Sequence, residues 1–181
     1  MRMRSAALPF TVLFTGILGG CHLMTAGTGC VHMSTSFHFN VQAPFARTAL
    51  LFGPESEKGW AGERWQPRFF YPQPGKDTEG AVFTVRHGPH TSIWVNTVYD
   101  VSAGRMQYVA IIPGVVATTV DVTLAGTGPD QTRVDVTYVR TALDAAANDD
   151  VQGMARHDAV SGPEWQRAID ELLSGAASRH K

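Results

Sequence analysis

The chain has 181 residues, enough for one domain with a sizeable core, and its 15 Lys and Arg against 16 Asp and Glu leave a formal charge of -1. No stretch gathers basic residues beyond Arg2 and Arg4, which excludes the electrostatic footprint of a nucleic-acid binder. An apolar fraction of 44% with 17% charged residues excludes a disordered chain, and two cysteines, Cys21 and Cys30, exclude a disulfide framework or a Cys-based metal site.

Met1-Arg2-Met3-Arg4 is a positive start. The uncharged run that follows, over residues 5–20, holds Leu8, Phe10, Val12, Leu13, Phe14, Ile17 and Leu18, the order of a secretory signal. It ends in Leu18-Gly19-Gly20-Cys21, which resembles a bacterial lipobox. The resemblance implies that Cys21 becomes the lipidated first residue of a membrane-associated lipoprotein, since each buried acyl methylene contributes about 0.8 kcal/mol of membrane affinity. Residues 1–33 are therefore read as a signal peptide or membrane anchor plus a tether, and the location as the bacterial cell envelope. Three alternatives stay open: an uncleaved transmembrane helix over residues 6–24, against which Pro9 and the glycines count; cleavage without acylation; and translation from Met33, which would leave the protein cytoplasmic.

Residues 34–175 read as one α+β domain and residues 176–181 as a disordered tail. Phe37, Phe39 and Val41 share one face of a strand over residues 36–41, and Ala43-Pro44 leads out of it. Phe45, Ala49 and Phe52 have helical spacing up to Gly53-Pro54, and residues 55–60 add a further turn. Phe69-Phe70-Tyr71 is a short strand or bend before the loop Tyr71-Pro72-Gln73-Pro74-Gly75.

From there period two dominates. Residues 81–86 form a strand, and residues 93–101 alternate Ile93, Val95, Thr97, Tyr99 and Val101 against Trp94, Asn96, Val98 and Asp100. A turn at Ser102-Ala103-Gly104-Arg105 leads to Met106, Tyr108, Ala110 and Ile112 on one face. Past Pro113-Gly114, the residues Val116, Thr118, Val120, Val122 and Leu124 continue the stripe, and Val134, Val136 and Tyr138 follow the turn at residues 126–130. Strands with one wet and one dry face and short turns make an antiparallel meander. The period then changes. Residues 148–160 suggest a helix through Val151, Met154 and Ala155, which Gly162-Pro163 breaks or kinks. Ser161-Gly162-Pro163-Glu164 has the form of a capping box for a last helix carrying Trp165, Ile169, Leu172 and Leu173.

This order of elements resembles the SRPBCC superfamily, with its polyketide-cyclase, START-like and birch-pollen-allergen-like branches, over about residues 37–173. The resemblance rests on Phe37-His38-Phe39-Asn40-Val41-Gln42-Ala43-Pro44, on Trp94-Val95-Asn96-Thr97-Val98-Tyr99-Asp100, on Tyr108-Val109 and on Val136-Thr137-Tyr138-Val139-Arg140-Thr141-Ala142-Leu143. It implies a helix-grip fold, in which a curved antiparallel sheet wraps around a long C-terminal helix. It further implies a small apolar or amphipathic molecule held between the two, with cyclases or hydrolases in some branches. The chain departs from the pattern at Gly162-Pro163 and in its N-terminal extension.

The expected inner face offers Val120, Val122, Val134 and Val136 with Tyr99, Tyr108 and Tyr138, an apolar surface with a few hydroxyls, as small-molecule sites have. The alternative for each tyrosine is a core position with a satisfied hydroxyl. Arg140 continues the row, either facing a ligand carboxylate or paired with an acid near the last helix. The candidate ligand-binding residues are thus Tyr99, Tyr108, Val120, Val122, Val136, Tyr138 and Arg140. His87-Gly88-Pro89-His90 reads as an exposed hairpin turn rather than a metal site, and Glu55, Glu57, Lys58, Asp149 and Asp150 read as solvated. No Gly-x-Ser-x-Gly elbow, phosphate-binding loop or dinucleotide fingerprint occurs, so no catalytic residues, metal or cofactor are assigned. The leading reading is a binder or carrier of a small hydrophobic molecule, lipid-like or aromatic. The alternatives are a polyketide cyclase or dehydratase-type enzyme using cavity Tyr and Arg residues, and a structural envelope domain without a ligand.

Overall fold

The structure, a computed structural model, describes residues 29–178, with side chains through Gly175; Cys21 and the apolar run before it lie outside the described residues. Period-two alternation builds seven strands: β1 (His32–Val41), β2 (Arg68–Tyr71), β3 (Val82–His87), β4 (His90–Asp100), β5 (Arg105–Ile112), β6 (Val116–Gly128) and β7 (Gln131–Ala142). All pair antiparallel in one sheet, in the order β1-β7-β6-β5-β4-β3-β2. β1 and β2 lie at opposite edges, so the connection between them spans the sheet; it carries α1 (Phe45–Ala49) and a 3-10 turn (Ser56–Gly59). β1 starts four residues before the expected strand and pairs with β7 from His32↔Thr141 onwards. After β7 come a 3-10 turn (Ala145–Ala147), α2 (Asn148–Asp158) and α3 (Gly162–Ser178), the last reaching three residues into the expected tail.

The inner-face residues stack in rows across the sheet, because antiparallel partners lie side by side and every second residue faces the same way. One row is Met106, Val122, Val136 and Phe37; the next is Tyr108, Val120 and Tyr138; a third is Ala110, Thr118 and Arg140. On β4 the alternation expected from the sequence is interrupted. A β-bulge between Asn96 and Val98 makes Thr97 an extra residue, whose hydroxyl donates to Gln107 at 2.8 Å (Oε1) and 3.2 Å (carbonyl). Before the bulge Ser92, Trp94 and Asn96 point inward and Ile93 is exposed; beyond it Tyr99 packs against the core. The even-numbered residues of β4 therefore face the interior in its first half and the odd-numbered ones in its second, as a bulge requires.

Among the described residues, the last helix presents Trp165, Ala168, Ile169, Leu172 and Leu173 to the core at helical spacing, with Ile169 fully buried. The expected capping box does not form. The Ser161 hydroxyl instead donates back to the His157 carbonyl at 2.9 Å, and the N–H groups of Glu164 and Trp165 go to the Ser161 carbonyl. Gly162 allows α3 to start against β1: a Cβ there would stand 3.2 Å from the His38 carbonyl oxygen and 3.3 Å from the Phe37 ring. Gly162-Pro163 thus separates two helices rather than kinking one. Ile169→Ala is expected to lower stability by about 2–5 kcal/mol, read as a shift of the urea midpoint at unchanged slope.

Candidate functional site

Between the inner face of the sheet, the 3-10 turn and α3 lies a cavity of about 660 Å³. α3 makes its close approach at β1, where Trp165 meets the Phe37 ring edge-on at 5.4 Å; over β5 and β6 the floor is left open. That floor is Tyr108, Ala110, Thr118, Val120 and Val122, and the walls include Trp60, Trp65 and Trp94. The exposed residues His87, His157, Glu164, Arg167 and Glu171 form the rim.

Of the residues singled out from the sequence, Tyr108, Val120, Val122, Tyr138 and Arg140 line this cavity, while Tyr99 and Val136 do not. Val136 is fully buried one row deeper, in the core. Tyr99 stands beyond the β4 bulge, and burial together with the nearby Asp77 and Glu57 carboxyls pushes its phenol up to about 12. His87 and His90 pair across the Gly88-Pro89 turn; burial and the Arg140 charge hold the His87 imidazole below its ordinary value. Among the described residues no three His, Cys, Asp or Glu side chains come together as a metal site.

Sequence reasoning missed Glu57. It sits in a polar stretch and reads as solvated, yet it is only 7% exposed, while its neighbours Glu55 and Lys58 pair with each other at 2.6 Å on the surface. The turn carrying it is fixed from three sides. Asp77 accepts from the N–H groups of Glu55 (2.6 Å) and Ser56 (3.0 Å) and from the Ser56 hydroxyl (2.6 Å). Gly53, at φ 134°, passes so close to Asp77 that a Cβ would fall 2.5 Å from its carboxyl carbon, which only glycine allows. The Gly53 N–H (3.2 Å) and the Tyr108 hydroxyl (2.7 Å) both donate to Glu57 Oε1. Trp60 and Trp65 close over the loop by donating to the carbonyls of Leu51 (2.7 Å) and Pro54 (2.9 Å). Glu57 itself lines the cavity, and its Oε2 has no hydrogen-bond partner among the described residues. Burial raises this carboxyl to about 7, against the lowering effect of the two hydrogen bonds. The only sequence signal was local: an acid between the Gly53-Pro54 turn and Trp60.

Arg140 is held rather than free. Its guanidinium makes a two-pronged pair with Asp158 at the end of α2, at 2.5 Å and 2.9 Å, donates to the Thr118 hydroxyl at 3.0 Å and lies 4.9 Å from the centre of the Tyr138 ring. The pair with an acid near the last helix, one of the two roles read from the sequence, is present, and Arg140 also lines the cavity. The Tyr138 hydroxyl lines the cavity with no hydrogen-bond partner among the described residues, and burial raises its phenol, so it is a donor at neutral pH.

Two outcomes follow from these groups. Folding binds the Glu57 proton more tightly, so Glu57's contribution to stability is fully present below the ordinary carboxyl range and is lost as pH rises from about 4.5 to about 7. Relative to Glu57→Gln, the native chain should lose on the order of 3 kcal/mol across that window, measured by denaturant unfolding at both ends. Asp158→Ala leaves the Arg140 charge buried and unpaired and should cost about 3–5 kcal/mol in the same assay.

No family model matches the chain, and no curated protein matches its sequence. Solved structures do match in shape. Norcoclaurine synthase from Thalictrum flavum, in complex with dopamine and hydroxybenzaldehyde, is similar at 13% identity and TM-score 0.58 over 97% of this chain and 99% of that one. Ara h 8.0201 is similar at 13% identity and TM-score 0.55, over 80% of this chain and 99% of that one. DynU16, a protein in the dynemicin biosynthetic locus, matches at 16% identity and TM-score 0.52, over 79% of this chain and 48% of that one. With its seven-stranded antiparallel sheet and gripping C-terminal helix, the chain has the helix-grip α+β fold of the SRPBCC and START-like proteins.

Proposed function

We propose that this protein binds and carries one small, largely apolar molecule in the cavity between the sheet and α3. The observation that carries this reading is the cavity itself: about 660 Å³, within the range of small-molecule sites and well above the roughly 300 Å³ at its lower end. Aromatic and aliphatic side chains dominate its walls, and Glu57, Tyr138 and Thr118 supply a few polar groups to orient a guest. A structural domain with a filled interior does not fit a void of this size. In this reading Tyr108, Val120, Val122, Tyr138 and Arg140 contact the guest or hold the groups that do, whereas Tyr99 and Val136 support the core.

A cyclase or dehydratase-type enzyme is the second reading, and one observation favours it. The Glu57 carboxyl can lose and regain a proton near neutral pH, as an acid–base residue must.

Mass spectrometry of extracts from natively purified protein should recover one small molecule in stoichiometric amount. Thermal stability should rise with aromatic or lipid-like compounds, by linkage to the folded state. Val120→Trp, which fills the centre of the floor, should remove both effects while the chain still melts cooperatively. Recovery of nothing, with no response to the panel, would overturn the reading; conversion of the recovered compound would favour the enzyme.

The membrane tether is proposed with it, on the motif Leu18-Gly19-Gly20-Cys21. Among the described residues no helix is long and apolar enough to cross a membrane. Cys21→Ser should move the protein from the membrane to the soluble fraction of the expressing bacterium, and unchanged partitioning would reject lipidation.

A further inference from the structure

The reading of the cavity as a ligand site leaves the chemistry of the guest's polar group open, and the side chains around Glu57 narrow it. We infer that the guest is an apolar, ring-bearing molecule with a basic nitrogen, whose protonated N–H group hydrogen-bonds Glu57 Oε2.

Glu57 is a carboxyl more than nine-tenths buried that lines the cavity, with one oxygen occupied by Gly53 and Tyr108 and the other without a hydrogen-bond partner among the described residues. Lys58, next to it in sequence, is turned outward onto Glu55. Arg140, the cation within the walls, is already neutralised by Asp158. A buried anion without a counter-charge is costly, and a cation brought by the guest relieves that cost while making a charge-assisted hydrogen bond. The mouth has the same sign, since Glu164 and Glu171 outnumber Arg167 there. Trp60, Trp65 and Trp94 supply aromatic surface, which favours cations over anions. Among the described residues, a guest carboxylate would find no unpaired cation inside the walls.

Other groups that titrate or carry charge near Glu57 are Tyr108 on β5, Tyr99 on β4 and Asp77 in the loop before β3. Tyr138 on β7 and the rim residues Glu164, Arg167, Glu171, His87 and His157 complete the set. The phenols are held protonated by burial, so among the described residues lining the cavity interior it is Glu57 that changes charge between about pH 5 and 8.

The test compares three probes of one shape by isothermal titration on the full chain: tryptamine, its isostere with a methyl in place of the amine, and indolepropionate. Tryptamine stays cationic over the whole window, like a lysine side chain. At about pH 8 it should bind about tenfold or more tightly than the methyl isostere, with indolepropionate weakest. The advantage should shrink towards pH 5, where Glu57 is neutral, and vanish at every pH in Glu57→Gln, whose folding is confirmed by its melting curve. Equal binding of tryptamine and the isostere at about pH 8, or an advantage that survives in Glu57→Gln, would overturn the inference and leave the apolar binding reading standing. Should Glu57→Gln not fold, the same titration of the His87→Gln/His157→Gln double variant decides the matter: a pH dependence that persists there belongs to Glu57, and one that disappears would overturn the inference. Binding of none of the three, together with an empty extract, would instead bring down the binding reading and this inference with it.

Discussion

One helix cannot cover this sheet. Seven strands at about 4.8 Å spacing span about 30 Å, while a helix with its side chains is about 10 Å across. α3 settles at the β1 side, where Trp165 meets Phe37 and Phe39 and where Gly162 lets it start close to the backbone. The connection from β1 to β2 covers the rest: Trp60 meets Trp165 of α3 at 5.1 Å, and Trp65 reaches Phe83 and Trp94 on the far strands. Beneath these coverings the central strands carry Ala110, Thr118, Val120 and Val122, side chains too short to reach across. The void therefore follows from element widths and side-chain lengths together.

The two buried ionic centres solve the same electrostatic problem differently. Arg140 and Asp158, 15% and 8% exposed in their side chains, satisfy each other and join β7 to the end of α2. Such a pair anchors geometry and leaves little charge for a guest. Glu57 has donors on one oxygen only, and desolvation is the dominant influence on its acidity. A group left in that state is weak evidence for stability and stronger evidence for a site.

The sheet was legible in the sequence because alternation is a direct record of which face is dry. The stripes on β5, β6 and β7 appear in the structure with the sides assigned to them, and five of the seven candidate residues line the cavity. On β4 the first half was misassigned, with Ile93 outside and Trp94 inside, because a bulge adds one residue without any change of composition: Thr97 is as ordinary a strand residue as its neighbours. Tyr99 does face the interior, but beside Met106, one row away from the cavity floor. Glu57 was hidden for a different reason. Its environment is built by Asp77 and Tyr108, distant in sequence, and its immediate neighbours Glu55 and Lys58 are true surface residues. The capping signature misled because the Ser161 hydroxyl found the His157 carbonyl of the preceding helix first.

Asp77 lines no part of the cavity, yet it clamps the turn on which Glu57 rides, and Gly53 both yields room to Asp77 and donates to the carboxyl. The acid strength inside the chamber is thus set partly from outside it, by the loop that carries Asp77. Two chains with identical chamber linings but different residues at these two positions would present carboxyls of different reach and acidity, and so would favour different guests.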